Sequence, residues 1–276
     1  MSAPIRIGVL ISGSGTNLEA VLTACENGLI NGRVVFAGAD NEKATGLKRA
    51  QKRGIDTFVV DYKSILAGFR QNPDPARLPE DYDEAAVLEK QSFFPAGSEP
   101  ERTASYFRGR AVCEAELLSH MSAQPFDLLV LAGFMRNLSP YFIDRVNTDP
   151  MRPKIMNIHP ALLPAFPGTD GYGDTFRYGC KVAGCTVHFI DYGEDTGPII
   201  GQRAFAIEEN DTADSIKKKG LTHEWELYPQ CIQLYAANRL IPVRMTYTAK
   251  NGSIRQRTVV RIADQDAPSE PAQPGA

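Results

Sequence analysis

Short apolar runs alternate with segments of helical spacing over the first 60 residues of the chain. Ile5–Ile11, Gly32–Ala39 and Asp56–Val60 are rich in apolar residues, as buried parallel strands are. Between these runs, apolar residues recur at helical spacing from Leu18 onward, and Ala44–Arg53 predicts a second helix. This β-α-β-α-β order predicts an α/β fold with a mainly parallel, doubly wound sheet.

The same pattern resumes after residue 104 and continues to a terminal hairpin. In chain order, the predicted elements are a helix at Tyr106–Met121, a strand at Asp127–Leu131, a helix opening at Ser139-Pro140, a strand at Lys154–Ile158, strands at Cys185–Ile190 and Pro198–Ala206, a long helix at Thr212–Arg239, and a hairpin at Met245–Ile262.

Two segments fall outside this pattern. Residues 62–104 are rich in proline and acidic residues, which predicts an insertion with one short helix at Glu84–Lys90. Residues 263–276 form a polar, proline-rich tail, which predicts disorder. The expected organisation is therefore one domain over residues 1–262, with an insertion at about 62–104.

Composition narrows the function classes. The chain has 276 residues, of which 43% are hydrophobic and 23% charged, as in ordinary globular proteins. Its net charge of −3 disfavours nucleic acid as a partner, and no apolar run reaches membrane-spanning length. The apolar N-terminal run lacks a cleavage site and leads into a glycine turn, so it is interpreted as a strand. Five irregularly spaced cysteines favour a cytoplasmic location without a disulfide framework.

The turn Gly13–Asn17 after the first strand is a candidate anion site. Glycines there let main-chain N–H groups and a helix N-terminus approach a ligand. A plain turn is the alternative. A dinucleotide fingerprint would need a third glycine where Leu18 stands, although Asp40 partly supports it, and the Gly-Lys-Ser/Thr of a P-loop is absent. A phosphate monoester fits this turn best.

Asn157 and His159 end the strand that begins near Lys154. Strand alternation places both side chains on one face, at the strand end where open α/β sheets place their sites. An amide and an imidazolium on one face can both donate hydrogen bonds to a developing oxyanion. Three prolines within residues 160–167 would keep these donors aimed. The alternative is a buried Asn and His that stabilise a turn.

Three further motifs have ordinary structural interpretations beside the functional ones. Asp195, just before a Gly-Pro turn, could orient and charge an imidazole, or serve only the turn. Cys180, Cys185 and His188 faintly resemble a metal cluster, but alternation separates the last two, so structural cysteines and no metal are predicted. Lys217–Gly220 is expected to be a solvated helix face.

Taken together, the motifs resemble the phosphoribosylglycinamide formyltransferases of purine synthesis. The matching stretches are VLISGSGTNL, GLKRAQKRGI, LVLAGFMRNLSP, NIHPALLPAFPG, GCTVHFIDYGEDTGPII and HEWELYP. The resemblance implies a Rossmann-like formyltransferase fold and small-molecule substrates. These are the cosubstrate 10-formyltetrahydrofolate and the amine acceptor glycinamide ribonucleotide. The protein is expected to be a monomer or a homodimer.

The resemblance also implies residue roles. Asn157, His159 and Asp195 match the family's catalytic residues, and Arg110, or Arg108 beside it, is chosen as the arginine that contacts the folate. The phosphate loop would be Gly13, Ser14, Gly15, Thr16 and Asn17, with Glu224 contacting the acceptor. The folate pocket would be Met135, Arg136, Asn137, Leu138, Asn157, Asp191, Tyr192, Gly193, Glu194 and Asp195.

The chemistry expected of this set is direct attack by a neutral amine on a formyl carbon, so no Ser or Cys nucleophile is needed. Loss of one oxyanion donor typically costs roughly 3–4 kcal/mol. One departure leaves the acceptor open: the family usually has a histidine soon after Pro-Gly, where this chain has Asp170 and Tyr172. The alternatives are a formyltransferase for another phosphorylated or sugar amine, or a non-catalytic folate- or nucleotide-binding relative.

Overall fold

A computed structural model describes residues 3–264, which contain a seven-stranded sheet with helices on both faces. The strands are β1 (Ile5–Ile11), β2 (Gly32–Ala39), β3 (Asp56–Val59), β4 (Leu128–Leu131), β5 (Ile155–His159), β6 (Val182–Phe189) and β7 (Ile199–Ala206). Their order across the sheet is β3-β2-β1-β4-β5-β6-β7. The first five strands run parallel, whereas β6 pairs antiparallel with both β5 and β7. The predicted mainly parallel α/β fold is confirmed.

The connections between the strands are mostly helical. The helices are α1 (Thr16–Glu26), α2 (Leu47–Gln51), α3 (Tyr62–Gln71), α4 (Glu84–Lys90), α5 (Pro100–Ser122), α6 (Pro140–Val146), α7 (Gly171–Arg177) and α8 (Ala213–Ala236), with a short 3-10 helix at Pro75–Arg77. Thr212 caps α8 by accepting a hydrogen bond from the main chain of Ser215, as expected of a cap.

Two apolar cores lie on opposite faces of the sheet because successive strand residues point to opposite sides. Val9 and Val130 belong to the core covered by α1, α2 and α8, whereas Leu10 and Leu131 belong to the core covered by α3, α5 and α6. β1 and β4 are neighbours although β2 and β3 separate them in the chain, so the strand order reverses between them. Open α/β sheets bind ligands at this kind of reversal.

Residues 62–104 hold more helix than predicted. The helix Glu84–Lys90 is confirmed, but α3 also forms, and α5 begins at Pro100 rather than Tyr106. The Asp61 side chain caps α3 by accepting from the main-chain N–H of Lys63 and Ser64. The prolines that suggested an irregular insertion lie mainly between these helices, where they do not interrupt a helix.

Residues 240–262 form a separate antiparallel hairpin. Its strands are β8 (Leu240–Thr248) and β9 (Ile254–Ile262), so it begins earlier than the predicted Met245. Most of the predicted tail lies outside the described residues, and its disorder stays a prediction. Among residues 3–264, no helix is both long and apolar enough to cross a membrane, and all five cysteines are free thiols.

Candidate active site

His159 ends β5 with both ring nitrogens facing oxygen atoms that accept hydrogen bonds. Its Nδ1 lies 3.2 Å from Asp195 Oδ2, and its Nε2 lies 2.8 Å from the main-chain oxygen of Phe166. The side chain is 3% exposed. A neutral imidazole carries one N–H and could donate to only one of these oxygens. The Asp195 carboxylate can orient the ring through Nδ1 and would stabilise a positive charge that forms on it.

Asp195 reaches His159 from the loop that follows β6. Its main chain has φ 52°, in the left-handed region that residues other than glycine seldom adopt. Its Oδ2 also accepts a hydrogen bond from the main-chain nitrogen of Gly168 at 2.8 Å. Within the loop, Asp191 Oδ1 accepts from the Thr196 hydroxyl at 2.6 Å. These contacts hold Asp195 in the position that an imidazole-orienting carboxylate requires.

Asn157 is oriented by His188, which stands opposite it in the antiparallel β5–β6 pair. Asn157 Nδ2 lies 3.2 Å from His188 Nε2, and His188 Nδ1 lies 2.8 Å from the main-chain oxygen of Phe189. A neutral His188 protonated at Nδ1 donates to Phe189 and accepts from Asn157. Burial lowers the pKa of His188, against the opposing effect of Asp195, and so favours this neutral form.

The loop after β1 leaves the N-terminus of α1 without a side-chain cap. Gly15 has φ 68°, and a Cβ atom there would lie 2.8 Å from Gly46 Cα. A Cβ atom on Gly13 would meet nothing within 4 Å. The conformation of the turn therefore requires glycine at Gly15, whereas Gly13 leaves open space in front of the main chain. Uncapped N–H groups at a helix N-terminus can bind a phosphate.

Glu224 of α8 lies near the same end of the sheet, between two hydrogen-bond donors. Asn17 Nδ2 donates to Glu224 Oε2 at 2.7 Å, and the Tyr172 hydroxyl donates to Glu224 Oε1 at 2.8 Å. Burial raises the pKa of Glu224, and these hydrogen bonds partly offset that effect. The carboxylate thus connects the loop after β1 with α7.

A cavity of about 520 Å³ brings most of the predicted site residues together. The predicted residues in its lining are Asn17, Met135, Arg136, Asn137, Leu138, Asn157, His159, Asp191, Gly193, Glu194, Asp195 and Glu224. One cavity therefore joins the predicted catalytic residues to the predicted folate segment and to the acceptor side. No group of three or more His, Cys, Asp or Glu side chains in the described range is arranged to hold a metal.

Several predicted residues do not line this cavity. The residues of the predicted phosphate loop that precede Asn17, which are Gly13, Ser14, Gly15 and Thr16, are outside the lining. Tyr192 is also outside it and donates a hydrogen bond to Asp144 Oδ1 at 2.6 Å.

The predicted folate-binding arginines also lie elsewhere. The Arg110 guanidinium is buried between the rings of Tyr62 and Tyr106, 5.6 Å and 5.2 Å from their centroids. Arg108 forms ion pairs with Glu84 and Glu101. A contact from either arginine to a folate stays a prediction, and the cavity geometry favours Arg136 instead.

Asp40, which partly supported a dinucleotide site in the sequence, is buried and forms an ion pair with Arg136. Arg136 Nε donates to Asp40 Oδ2 at 2.5 Å, and Asn41 Nδ2 donates to Asp40 Oδ1 at 2.7 Å. Both carboxylate oxygens are therefore engaged within the protein. The geometry gives no support to a ribose contact by Asp40.

The sequence did not predict the place of three residues in this site. His188 was considered only as a doubtful metal ligand, Lys217 only as part of a solvated face, and Tyr172 only as a departure from the family pattern. His188 contacts Asn157, and Lys217 and Tyr172 line the cavity. The exact pairing of His188 with Asn157 depends on the β5–β6 register, which no local pattern specifies.

Comparison with known proteins defines the class. A family model described as formyl transferase matches residues 5–232, and so includes every catalytic candidate. The phosphoribosylglycinamide formyltransferase of Bacillus subtilis (strain 168) is 30% identical over 230 residues, covering 83% of this chain and 93% of that protein. The protein of the same name from Escherichia coli (strain K12) is 30% identical over 236 residues, covering 86% and 89%.

A solved structure agrees with these relatives. The crystal structure of glycinamide ribonucleotide transformylase 1 from Symbiobacterium toebii aligns over 96% of both chains, with a TM-score of 0.67 and 36% identity. The chain belongs to the phosphoribosylglycinamide formyltransferase family.

Proposed function

We propose that this chain transfers the formyl group of 10-formyltetrahydrofolate to the amine of glycinamide ribonucleotide. The observation that carries the proposal is the contact between His159 and Asp195 beside the Asn157 amide in one cavity. Family membership supports the same reaction.

Asn157 and His159 would act on the formyl oxygen as negative charge develops on it. Asn157 has two Nδ2 hydrogens, and His188 accepts only one of them, so the other is free for a ligand. His159 lines the same cavity, and Asp195 would stabilise a positive charge that develops on its imidazole. Fixed donors and charges of this kind contribute roughly 3–4 kcal/mol each to transition-state stabilisation. The amine attacks directly, so the protein supplies no nucleophile.

The cavity residues fit the folate. Phe134, Leu138, Asp191 and Glu194 line the cavity, and Asn137 Nδ2 donates to Glu194 Oε1 at 3.1 Å. A lining that combines apolar side chains with carboxylates suits a flat ring system that carries amino and ring N–H groups. When bound, the folate supplies the formyl carbon. Residues 135–138 and 191–195 would hold its ring.

The loop from Gly13 to Asn17 would bind the acceptor phosphate, and Lys217 in the cavity lining would add a positive charge nearby. Glu224 would contact the rest of the acceptor. We further propose one formyltransferase domain over residues 1–262 with an insertion at about 62–104, and no catalytic metal. A cytoplasmic location and a monomeric or homodimeric state remain predictions.

The test is a formyl-transfer assay with purified protein and 10-formyltetrahydrofolate. Parallel reactions contain glycinamide ribonucleotide, glucosamine 6-phosphate or no acceptor, and calorimetry measures folate binding. Turnover with glycinamide ribonucleotide well above the other reactions supports the proposal. Turnover only with the sugar amine would mean that the altered loop at Asp170 has changed the acceptor. Folate binding without turnover would indicate a non-catalytic relative.

A further inference from the structure

Glu224 is a buried carboxylate whose partners are neutral. It is 5% exposed, and within residues 3–264 its two oxygens accept from the Asn17 amide and the Tyr172 hydroxyl. A buried carboxylate needs such hydrogen bonds because it has lost its hydration. The orientation of Glu224 therefore depends on these two side chains.

Tyr172 is fixed by the shape of α8. Gly220 lies one helical turn before Glu224, and a Cβ atom on Gly220 would come within 2.0 Å of Tyr172 Cζ. The absence of a side chain there lets the ring lie against α8 with its hydroxyl at Glu224. The ring also packs with Ala183 and Ile216. Tyr172 thus has little freedom to point elsewhere.

Asn17 leaves an unused acceptor beside this carboxylate. Its Nδ2 donates to Glu224, which directs its Oδ1 elsewhere, and among the described residues Oδ1 is buried without a hydrogen-bond partner. Asn17, Tyr172 and Glu224 all line the cavity that contains His159. Buried acceptors without partners are rare in native structures, so a ligand that donates hydrogen bonds would complete this site.

We propose that Tyr172 is a positioning residue that fixes Glu224 and, through it, Asn17 as paired acceptors for the hydroxyl or N–H groups of the amine substrate. This role rests on the proposed formyl transfer. It also gives a function to the departure from the family pattern: the tyrosine hydroxyl supplies a donor to Glu224. Burial and the charge of Glu224 raise the pKa of Tyr172, so the hydroxyl stays protonated and keeps donating.

The pKa of Glu224 can report whether its hydrogen bond from Tyr172 is present. The ionisable groups around it are His159 of β5, Lys217 of α8, Tyr172 of α7, Cys185 of β6 and Tyr228 of α8. Loss of the Tyr172 hydrogen bond removes one contact that lowers the pKa of Glu224, so that pKa should rise. Glu224 would then become neutral at a higher pH than in the wild type.

The experiment compares wild type, Tyr172→Phe and, as a control, Tyr247→Phe on the exposed hairpin. In Tyr172→Phe we expect KM for glycinamide ribonucleotide to rise about tenfold or more, with little change in kcat or folate KM. The rise of acceptor KM on acidification should also begin at a higher pH. Tyr247→Phe should match the wild type.

A second measurement does not depend on turnover. Selective ¹³C labelling of glutamate, with Glu224→Gln to assign the signal, follows the titration of Glu224 in the free protein. A higher pKa in Tyr172→Phe supports the proposal. An unchanged titration, or an acceptor KM within about twofold of the wild type, overturns it. If wild type fails to formylate glycinamide ribonucleotide, the proposed function fails, and the titration still tests the contact between Tyr172 and Glu224.

Discussion

Asn157 and His188 face each other across the β5–β6 pair, with Asn157 Nδ2 3.2 Å from His188 Nε2. The imidazole acts as a hydrogen-bond acceptor, and burial lowers its pKa and so helps to keep it neutral. This contact fixes which way the Asn157 amide turns. His188 thereby sets the direction of an N–H group in the candidate active site without facing the substrate itself.

His188→Phe removes the acceptor while keeping a ring of similar size. We expect kcat to fall about tenfold, because the Asn157 amide loses one neutral hydrogen bond that orients it. His188→Gln, whose side-chain oxygen can accept, should recover part of the loss. Steady-state kinetics with both variants measures this. Full kcat in His188→Phe would mean that Asn157 needs no help from His188.

Gly13→Val tests the phosphate loop without disturbing the fold. A Cβ atom at Gly13 would meet no protein atom within 4 Å, so the melting temperature should stay near the wild-type value. The side chain would instead block approach of the phosphate to the main chain, and acceptor KM should rise about tenfold or more. Folate KM should be unchanged.

Gly15→Val is the matched comparison for that prediction. Its positive φ and the 2.8 Å approach to Gly46 Cα mean that a side chain would strain the turn. Thermal melting should show a clear loss of stability for Gly15→Val and none for Gly13→Val. If Gly13→Val raised folate KM and left acceptor KM unchanged, the assignment of this loop to the phosphate would be wrong.

Glu114 of α5 makes stability depend on pH. Its Oε1 accepts from the main-chain nitrogen of Ser139 at 2.8 Å, and burial raises its pKa from 4.5 to about 7. Because the folded pKa lies above the unfolded one, the stabilisation is complete below about pH 4.5 and is lost as pH rises through about 7. The full change is about 3 kcal/mol at most.

Glu114→Gln removes this titration and keeps an acceptor oxygen for Ser139. Urea unfolding at about pH 5 and pH 8 should show a smaller loss of unfolding free energy in the variant than in the wild type. Glu116→Gln, on the exposed side of the same helix, serves as the control and should behave as the wild type does. Equal pH dependence in all three proteins would show that Glu114 does not titrate in this range.

The sequence predicted the sheet and the main strand-end residues because both follow local rules. Apolar runs indicated β1, β2, β4 and β5, and alternation along β5 placed Asn157 and His159 on one face. The contacts between distant segments could not be predicted in the same way. His188 meets Asn157 only through the strand register, and Tyr172 meets Glu224 only because α7 packs on α8 at Gly220.

Residues 62–104 show a different limit. Tyr62, Ile65, Leu66 and Phe69 have helical spacing after the capping residue Asp61, so the signal for α3 was present. The proline and acidic residues that follow dominate the composition of residues 62–104, and they favoured an irregular insertion over this helix. The burial of Arg110 between two aromatic rings could not be predicted from the sequence either, because it depends on how α3 packs against α5.

The tautomer of His188 can be observed directly by ¹⁵N NMR of labelled protein near pH 7. Its Nδ1 faces the main-chain oxygen of Phe189 and its Nε2 faces the Asn157 amide, so His188 should be protonated at Nδ1 alone. A His188 ring protonated at Nε2 would contradict the assignment of Asn157 as the donor to this ring.

The kcat of Asp195→Asn with saturating glycinamide ribonucleotide and 10-formyltetrahydrofolate tests the central claim most directly. Asn has nearly the same shape as Asp but cannot stabilise a positive charge that develops on His159, so kcat should fall about a hundred- to thousandfold with folate binding intact. Asp174, a partly exposed acidic residue on α7, lies outside the cavity lining, and Asp174→Asn should keep wild-type kcat. A near-normal kcat in Asp195→Asn would show that the carboxylate serves only the turn and that formyl transfer does not depend on the contact between Asp195 and His159.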